Sequence, residues 1–166
     1  RTTDPVALIR TRLERAEARR RTDLLGADAY RLCHGEGDGV PRLFVDRFGR
    51  GLCVTSTSDA MSRVAPELIA NLVETTGAEA VVHYQPTASV RDSLLPTRLR
   101  KDAPFVGQLV HGAHSRVRFH HGGLVRTVDI SRGFEVTALT AQLDSQRYVR
   151  RWARGHVLDV YAGMGG

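Results

Sequence analysis

The chain has 166 residues, 42% of them apolar and 25% charged, as is ordinary for a globular domain. It has no apolar run of about 18 residues and no signal-peptide pattern at its start, so we expect a cytoplasmic protein with no membrane span. The net charge is +6, and every basic residue except Lys101 is Arg. This charge is compatible with a nucleic-acid partner or with a merely solvated basic surface.

The first predicted element is an arginine-rich helix over residues 4–22. Asp4 suits the N-cap position and Pro5 the first turn. Apolar residues recur on one face at helical spacing: Val6, Ile9 and Leu13. Arginines occupy the other faces, and two interpretations are open. The helix either faces RNA or is a solvated connector.

Three strands are predicted after this helix, separated by glycine-rich turns at residues 35–41 and 47–51. An amphipathic helix follows over residues 62–76, with Ser62 as the expected N-cap and Gly77 as the C-cap. A strand is predicted at 79–85, and a loop at 86–104. Two further strands, at about 105–111 and 116–121, are expected to pair with one at about 124–130.

The resulting prediction for residues 27–131 is an α+β domain with a mostly antiparallel sheet and one packed helix. Cys33 and Cys53 lie in apolar stretches and are expected to be buried thiols. Glu36, Asp38 and Asp46 lie in or beside turns without a histidine partner. We therefore assign them to local hydrogen bonding rather than to acid/base chemistry.

The last segment predicts a helix at about 139–154, ended by Gly155, and then a short buried strand, HVLDVYA. Glycines at the carboxyl end of a buried strand are typical of nucleotide sites in Rossmann-like sheets. From the pattern alone three interpretations stay open. The turn holds S-adenosylmethionine with Asp159 near its methionine part, holds another nucleotide, or is purely structural.

Three stretches of this chain resemble the class I methyltransferases that modify 23S ribosomal RNA, including the cytosine-C5 enzymes. In YRLCHGEGDGVPRLFVDRFG the matching positions are Tyr30, Arg31, Glu36, Asp38, Pro41, Val45, Asp46 and Gly49. TAQLDSQRYVR is similar to a second family stretch, and VLDVYAGMGG is similar to the S-adenosylmethionine motif. The second stretch departs from the family at Ala141, Ser145 and Val149, which puts its usual ligand contacts in doubt.

This resemblance implies a set of site residues near the end of the chain. The cofactor-binding residues it implies are Thr140, Gln146, Arg147, Asp159, Tyr161, Gly163 and Gly165. Arg150 and Arg151 are candidates for contact with RNA phosphates or are solvated residues at a helix end. No catalytic residue is assigned, because the family's catalytic cysteine and base pocket lie beyond residue 166.

The resemblance also implies a division into three parts. These are a basic linker helix at 1–26, a central α+β domain at 27–131, and the start of a Rossmann-like methyltransferase domain at 132–166. We therefore expect a fragment of an S-adenosylmethionine-dependent 23S rRNA methyltransferase, inactive alone and weak in cofactor binding. Its expected partner is ribosomal RNA, with a homodimer possible and neither a metal nor a membrane. The alternative is a non-catalytic module that binds RNA or protein.

Overall fold

The computed structural model describes residues 4–23, 27–85, 107–121, 124–132, 148–149 and 151–158. Its helices and strands, in chain order, are α1 (Pro5–Asp23), β1 (Ala29–His34), β2 (Leu43–Phe48), β3 (Gly51–Ser56), α2 (Asp59–Thr76), β4 (Ala80–Tyr84), β5 (Gln108–His111), β6 (Arg116–His121) and β7 (Leu124–Asp129). Short 3₁₀ turns follow β1 and β7. None of the helices in these ranges is long and apolar enough to cross a bilayer.

Five strands form one sheet in the order β1–β2–β3–β4–β5. All neighbours are antiparallel except β3 and β4, which run parallel because α2 carries the chain back across the sheet. The predicted α+β class with a mostly antiparallel sheet and a packed helix is therefore confirmed.

The predicted β6–β7 hairpin is present, but it forms a separate two-stranded sheet. The expectation that the strand at 105–111 joins this hairpin is wrong. β5 instead pairs with β4 at the edge of the large sheet, through Val82 opposite Leu109 and His83 opposite Gln108. Apolar alternation identifies a strand, but it does not identify the neighbour with which that strand pairs.

Helix α1 begins where the sequence predicts. The Asp4 carboxylate accepts a hydrogen bond of 2.9 Å from the Val6 backbone N–H, which satisfies one of the donors exposed at a helix start. The face with Leu13 and Ala16 is buried against the sheet, with 1% and 2% of these residues exposed. Helix α1 is therefore a packed layer of the domain.

Helix α2 begins earlier than predicted. Ser58, not Ser62, is the N-cap, and its hydroxyl accepts from the Met61 backbone N–H at 3.3 Å. Ser62 lies within the helix, and its hydroxyl lies 2.7 Å from that of Ser56 on β3. The predicted C-cap is confirmed, because Gly77 adopts φ 64° and donates its N–H to the Val73 carbonyl.

Apolar side chains cover both faces of the large sheet. One cluster lies between the sheet and the two helices and includes Leu32, Val54 and Leu68. The other lies between the sheet and the β6–β7 hairpin, where the Phe48 and Phe119 rings meet edge to face with centroids 5.5 Å apart. The hairpin is therefore packed against the domain along one of its faces.

Only short pieces near the end of the chain are described. Residues 148–149 and 151–152 are helical, and Gly155 adopts φ 63° just beyond them. The buried strand expected from residue 156 is not found at 156–158, where Val157 and Leu158 are 62% and 86% exposed. The predicted loop at 86–104 and the rest of the expected strand lie outside the described residues, and the three-part division stays a prediction.

Candidate functional site

Most of the predicted cofactor and RNA contacts lie outside the described residues: Thr140, Gln146, Arg147, Arg150, Asp159, Tyr161, Gly163 and Gly165. Arg151 is described and is exposed. Beside it, Tyr148 and Trp152 form part of an open apolar hollow of about 490 Å³, with ring centroids 6.3 Å apart and Trp152 71% exposed. The geometry of the cofactor motif therefore stays a prediction.

Helix α1 is held to the sheet by a cluster that we call the helix clamp: Asp38 with Arg19 and Arg20. Arg20 donates two hydrogen bonds of 2.8 Å to the two oxygens of the Asp38 carboxylate, and Arg19 also contacts it. The same carboxylate accepts from the His34 backbone N–H at 2.7 Å. The clamp therefore joins α1, the end of β1 and the turn at 35–38.

The clamp keeps its carboxylate ionised. The Asp38 side chain is only 1% exposed. Burial alone would raise the pKa of Asp38, but hydrogen bonds from Arg20 and the His34 N–H, and the charges of both arginines, hold that pKa below its usual value. An ionised aspartate that accepts these hydrogen bonds stabilises the packing of α1 on the sheet.

Other arginines of α1 also contact the protein itself. Arg10 lies 2.6 Å from Glu67 of α2, Arg12 donates to the Gly39 carbonyl, and Arg21 lies 2.8 Å from Glu17. Arg15 is exposed and has no such partner among the described residues. The helix is therefore packed on the domain and is not a solvated connector, although the Arg19 and Arg21 side chains remain 55% and 62% exposed. The interpretation that this helix faces RNA stays a prediction.

A second internal ion pair lies between the first two strands. Arg31 and Asp46 stand opposite each other in the β1–β2 ladder, and the Arg31 Nε lies 2.7 Å from an oxygen of Asp46. The Asp46 side chain is 2% exposed, and the Arg31 guanidinium also lies over the Phe44 ring. The carboxylates Asp38 and Asp46 thus have structural partners, in agreement with the assignment to local bonding.

A buried polar cluster under α2 has no counterpart in the sequence predictions. The His83 Nε2 lies 2.9 Å from the Ser56 hydroxyl, and the His83 Nδ1 lies 3.4 Å from the Gln85 amide. Ser56 is fully buried, so it is closed to a substrate. Burial lowers the pKa of His83, which keeps the imidazole neutral. A Ser and a His within otherwise apolar strands are the only sequence signal for this cluster.

Both cysteines are buried, as predicted. Burial raises the pKa of Cys33 to about 11 and also raises the pKa of Cys53, so neither thiol is an activated nucleophile. In the described ranges, no three His, Cys, Asp or Glu side chains lie close enough together to hold a metal ion.

A different set of basic side chains faces outward from the hairpin. Arg116, Arg118 and His120 are alternate residues of β6 and are all exposed, while Phe119 between them is 1% exposed. We call this set the hairpin face. An open groove of about 700 Å³ runs beside it, lined in part by His114, Arg116, Arg118 and Thr127. No carboxylate in the described part of the chain is paired with either arginine.

Comparison with known proteins agrees with the resemblance in the motifs, although no family model matches the chain. The chain is 28% identical over 144 residues to the ribosomal RNA large subunit methyltransferase I of Escherichia coli O127:H6. It is 29% identical over the same length to the enzyme of that name from Citrobacter koseri. Each alignment covers 85% of this chain and 34% of the relative, so the chain spans about a third of these relatives.

Two solved structures share the fold. One, assigned as a SAM-dependent methyltransferase of Streptococcus mutans, superposes with a TM-score of 0.66 over 90% of this chain and 36% of its own, at 12% identity. The other, assigned as a methyltransferase in complex with SAH, gives a TM-score of 0.60 over 81% and 32%, at 13% identity. Over about a third of their length, therefore, the chain is similar to these methyltransferases, in agreement with the resemblance in its motifs.

Proposed function

We propose that this chain is part of an S-adenosylmethionine-dependent methyltransferase that acts on 23S ribosomal RNA. The observation that carries the proposal is the 28% identity over 144 residues to ribosomal RNA large subunit methyltransferase I. The net charge of +6 suits a polyanionic substrate. In this proposal residues 27–131 form a central domain, and residues 132–166 begin the cofactor domain.

The proposed cofactor contacts have the chemistry that S-adenosylmethionine requires. Gly163 and Gly165 let the backbone come close to the ligand, and the Asp159 carboxylate suits its ammonium or hydroxyl groups. Arg147 and Gln146 offer donors for its carboxylate. When bound, the cofactor supplies an electrophilic methyl group. Thr140 and Tyr161 complete the proposed contact set, and Arg150 and Arg151 are proposed to contact phosphates of the RNA.

The described domain supplies a scaffold for this chemistry rather than the chemistry itself. Its buried carboxylates are paired with arginines, its thiols are buried, and its Ser56–His83 pair is closed to solvent. Methyl transfer needs the acceptor atom held in line with the methyl group by a complete cofactor domain. We therefore propose that residues 1–166 alone bind S-adenosylmethionine weakly and transfer no methyl group.

Transfer of radiolabelled methyl groups tests the proposal. The protein encoded by the complete reading frame that contains this chain is incubated with labelled S-adenosylmethionine and with 23S rRNA that lacks large-subunit methylation. We expect incorporation into 23S rRNA, its loss in Asp159→Asn, and full retention in the surface variant Arg15→Gln. No incorporation into any rRNA by the complete frame would overturn the proposal, as would robust incorporation by residues 1–166 alone.

The second candidate function is a non-catalytic module that binds RNA. The arginines of the hairpin face favour it, since they have no carboxylate partner in the described part of the chain and would serve binding without any cofactor. Both functions hold together if the central domain binds the RNA on which a cofactor domain acts. If the complete protein binds RNA but transfers no methyl group, the non-catalytic module is the function supported.

A further inference from the structure

We propose that the hairpin face, Arg116, Arg118 and His120 on β6, is a binding site for the phosphate backbone of RNA. This inference rests on the proposed function, because rRNA is the polyanion that the proposed enzyme must hold. It goes beyond that function in naming the surface and the residues that make the contact.

The spacing of the three side chains suits a chain of phosphates. Alternate residues of a strand point to the same face and lie about 6.7 Å apart, so the two arginines and His120 form a row along β6. Consecutive phosphates of a nucleic-acid strand have a comparable spacing. Arginine is suited to this contact because its planar donors bind phosphate in a bidentate way.

The charges of this row are available for a ligand. Asp129 stands opposite Arg116 in the hairpin ladder, but its carboxylate accepts from the hydroxyls of Ser131 and Ser115 at 2.6 and 2.7 Å. Hydrogen bonds from Ser131 and Ser115 lower the pKa of Asp129, so it stays ionised and bound to these serines. Neither Arg116 nor Arg118 forms an ion pair with a described residue.

His120 is held in place beside the two arginines. The Asp28 carboxylate accepts from the His120 backbone N–H at 2.6 Å and lies 2.8 Å from its Nδ1. Because a carboxylate only accepts hydrogen bonds, the Nδ1 carries the proton, and the Nε2 has no partner among the described residues. The side chain is 69% exposed, so the Nε2 is open to accept a hydrogen bond from a base or a ribose hydroxyl of the RNA.

The strand that carries the row is rigidly supported from behind. Phe119 packs on Phe48, and a side chain at Gly49 would collide with the Arg118 carbonyl, which shows how closely the hairpin backbone lies on the β2–β3 turn. A ligand that binds the row therefore pays little additional ordering cost in the backbone.

The test compares two double variants that remove the same charge. Arg116→Gln with Arg118→Gln alters the hairpin face, while Arg15→Gln with Arg63→Gln alters two exposed arginines on α1 and α2 that form no ion pair with a described residue. The affinity of residues 1–166 for a short single-stranded RNA of mixed sequence is measured by filter binding at several salt concentrations. Circular dichroism confirms that each variant is folded.

We expect the hairpin variant to lower the salt slope, −∂log K/∂log[salt], by about 1.4, since each phosphate contact on a single strand contributes about 0.7. The affinity at about 0.1 M salt should fall roughly 25-fold on the same basis. The control variant should retain most of the salt slope of the unaltered chain. Equal losses in the two variants, an unchanged slope in the hairpin variant, or no RNA binding by the unaltered chain would each overturn the inference. The methyl-transfer assay on the complete protein tests the proposed function independently of this inference.

Discussion

Helix α1 and the β6–β7 hairpin are both rich in arginine, but they use it differently. In α1 the guanidinium groups of Arg19 and Arg20 contact Asp38, while Arg10 and Arg21 contact Glu67 and Glu17. In the hairpin, Arg116 and Arg118 have no carboxylate partner in the described ranges. The comparison teaches that net charge alone locates no interface, because an arginine held in an internal ion pair is less available to a ligand than one without such a partner.

The largest expected effect comes from breaking the helix clamp. Asp38→Ala leaves Arg20, which is 17% exposed, without its bidentate partner, and leaves the His34 N–H without an acceptor. We expect a loss of about 3 kcal/mol in the free energy of unfolding, measured by urea denaturation. Asp38→Asn keeps an acceptor for the His34 N–H and should lose less. A loss below about 1 kcal/mol in the alanine variant would show that α1 does not depend on the clamp.

The support of the hairpin is tested at a glycine. Gly49 has φ 57°, and a Cβ there would collide with the Arg118 carbonyl. We expect Gly49→Ala to cost about 3 kcal/mol in the free energy of unfolding and to raise proteolysis within the hairpin.

Gly39→Ala is the matched control for this variant. Gly39 has a similar φ of 70°, but a Cβ there makes only ordinary contact with Arg12. Its expected cost is therefore about 1 kcal/mol, from the backbone conformation alone. Equal costs at the two glycines would mean that the hairpin does not lie closely on the β2–β3 turn.

Acid should weaken the buried His83 cluster and the helix clamp in separate pH ranges. Because burial lowers the pKa of His83, the unfolded chain takes up a proton first, and stability should fall as the pH drops below about 6.5. The pKa of Asp38 is also lowered, so the stability from the helix clamp is present above the ordinary aspartate pKa of 3.8 and is lost as the pH falls below it.

Urea denaturation across this pH range measures both effects. His83→Gln should abolish the decrease near pH 6.5 and leave the decrease at lower pH unchanged. A decrease near pH 6.5 that persists in this variant would assign it to another group.

The smallest expected effect comes from single substitutions that compare an arginine of the hairpin face with an arginine of the helix clamp. Arg118→Gln should change the free energy of unfolding by less than about 0.5 kcal/mol, because its side chain is exposed and unpaired. Arg20→Gln should cost about 2 kcal/mol, because it removes both hydrogen bonds to a buried carboxylate. Thermal and urea unfolding measure both, and a larger cost at Arg118 would contradict the comparison.

Local chemistry allowed much of the fold to be predicted from the sequence. Asp4 and Pro5 mark the start of α1, glycine-rich turns separate the first three strands, and Gly77 ends α2. Ser58 and Ser62 offer the same capping chemistry, so the start of α2 could not be fixed from residue type alone. The partner of β5 was missed because strand pairing across distant residues depends on the tertiary fold.

The partners of the arginines were harder to predict from the sequence than the helices and strands on which the arginines lie. Arg31 and Asp46 become a recognisable pair only once the register of β1 and β2 is known. The Asp38–Arg20 pair needs the packing of α1 on the sheet. The alternation of Arg116, Arg118 and His120 around Phe119 was visible in the sequence. Only the structure shows that, among the described residues, the two arginines have no carboxylate partner while His120 contacts Asp28.

Ultraviolet crosslinking of residues 1–166 to single-stranded RNA, followed by mass spectrometry of the crosslinked peptides, tests the central claim most directly. The account predicts crosslinks in peptides that contain Arg116, Arg118 or His120, and few in peptides from α1. Crosslinks concentrated on α1, with the hairpin peptides unmodified, would contradict it.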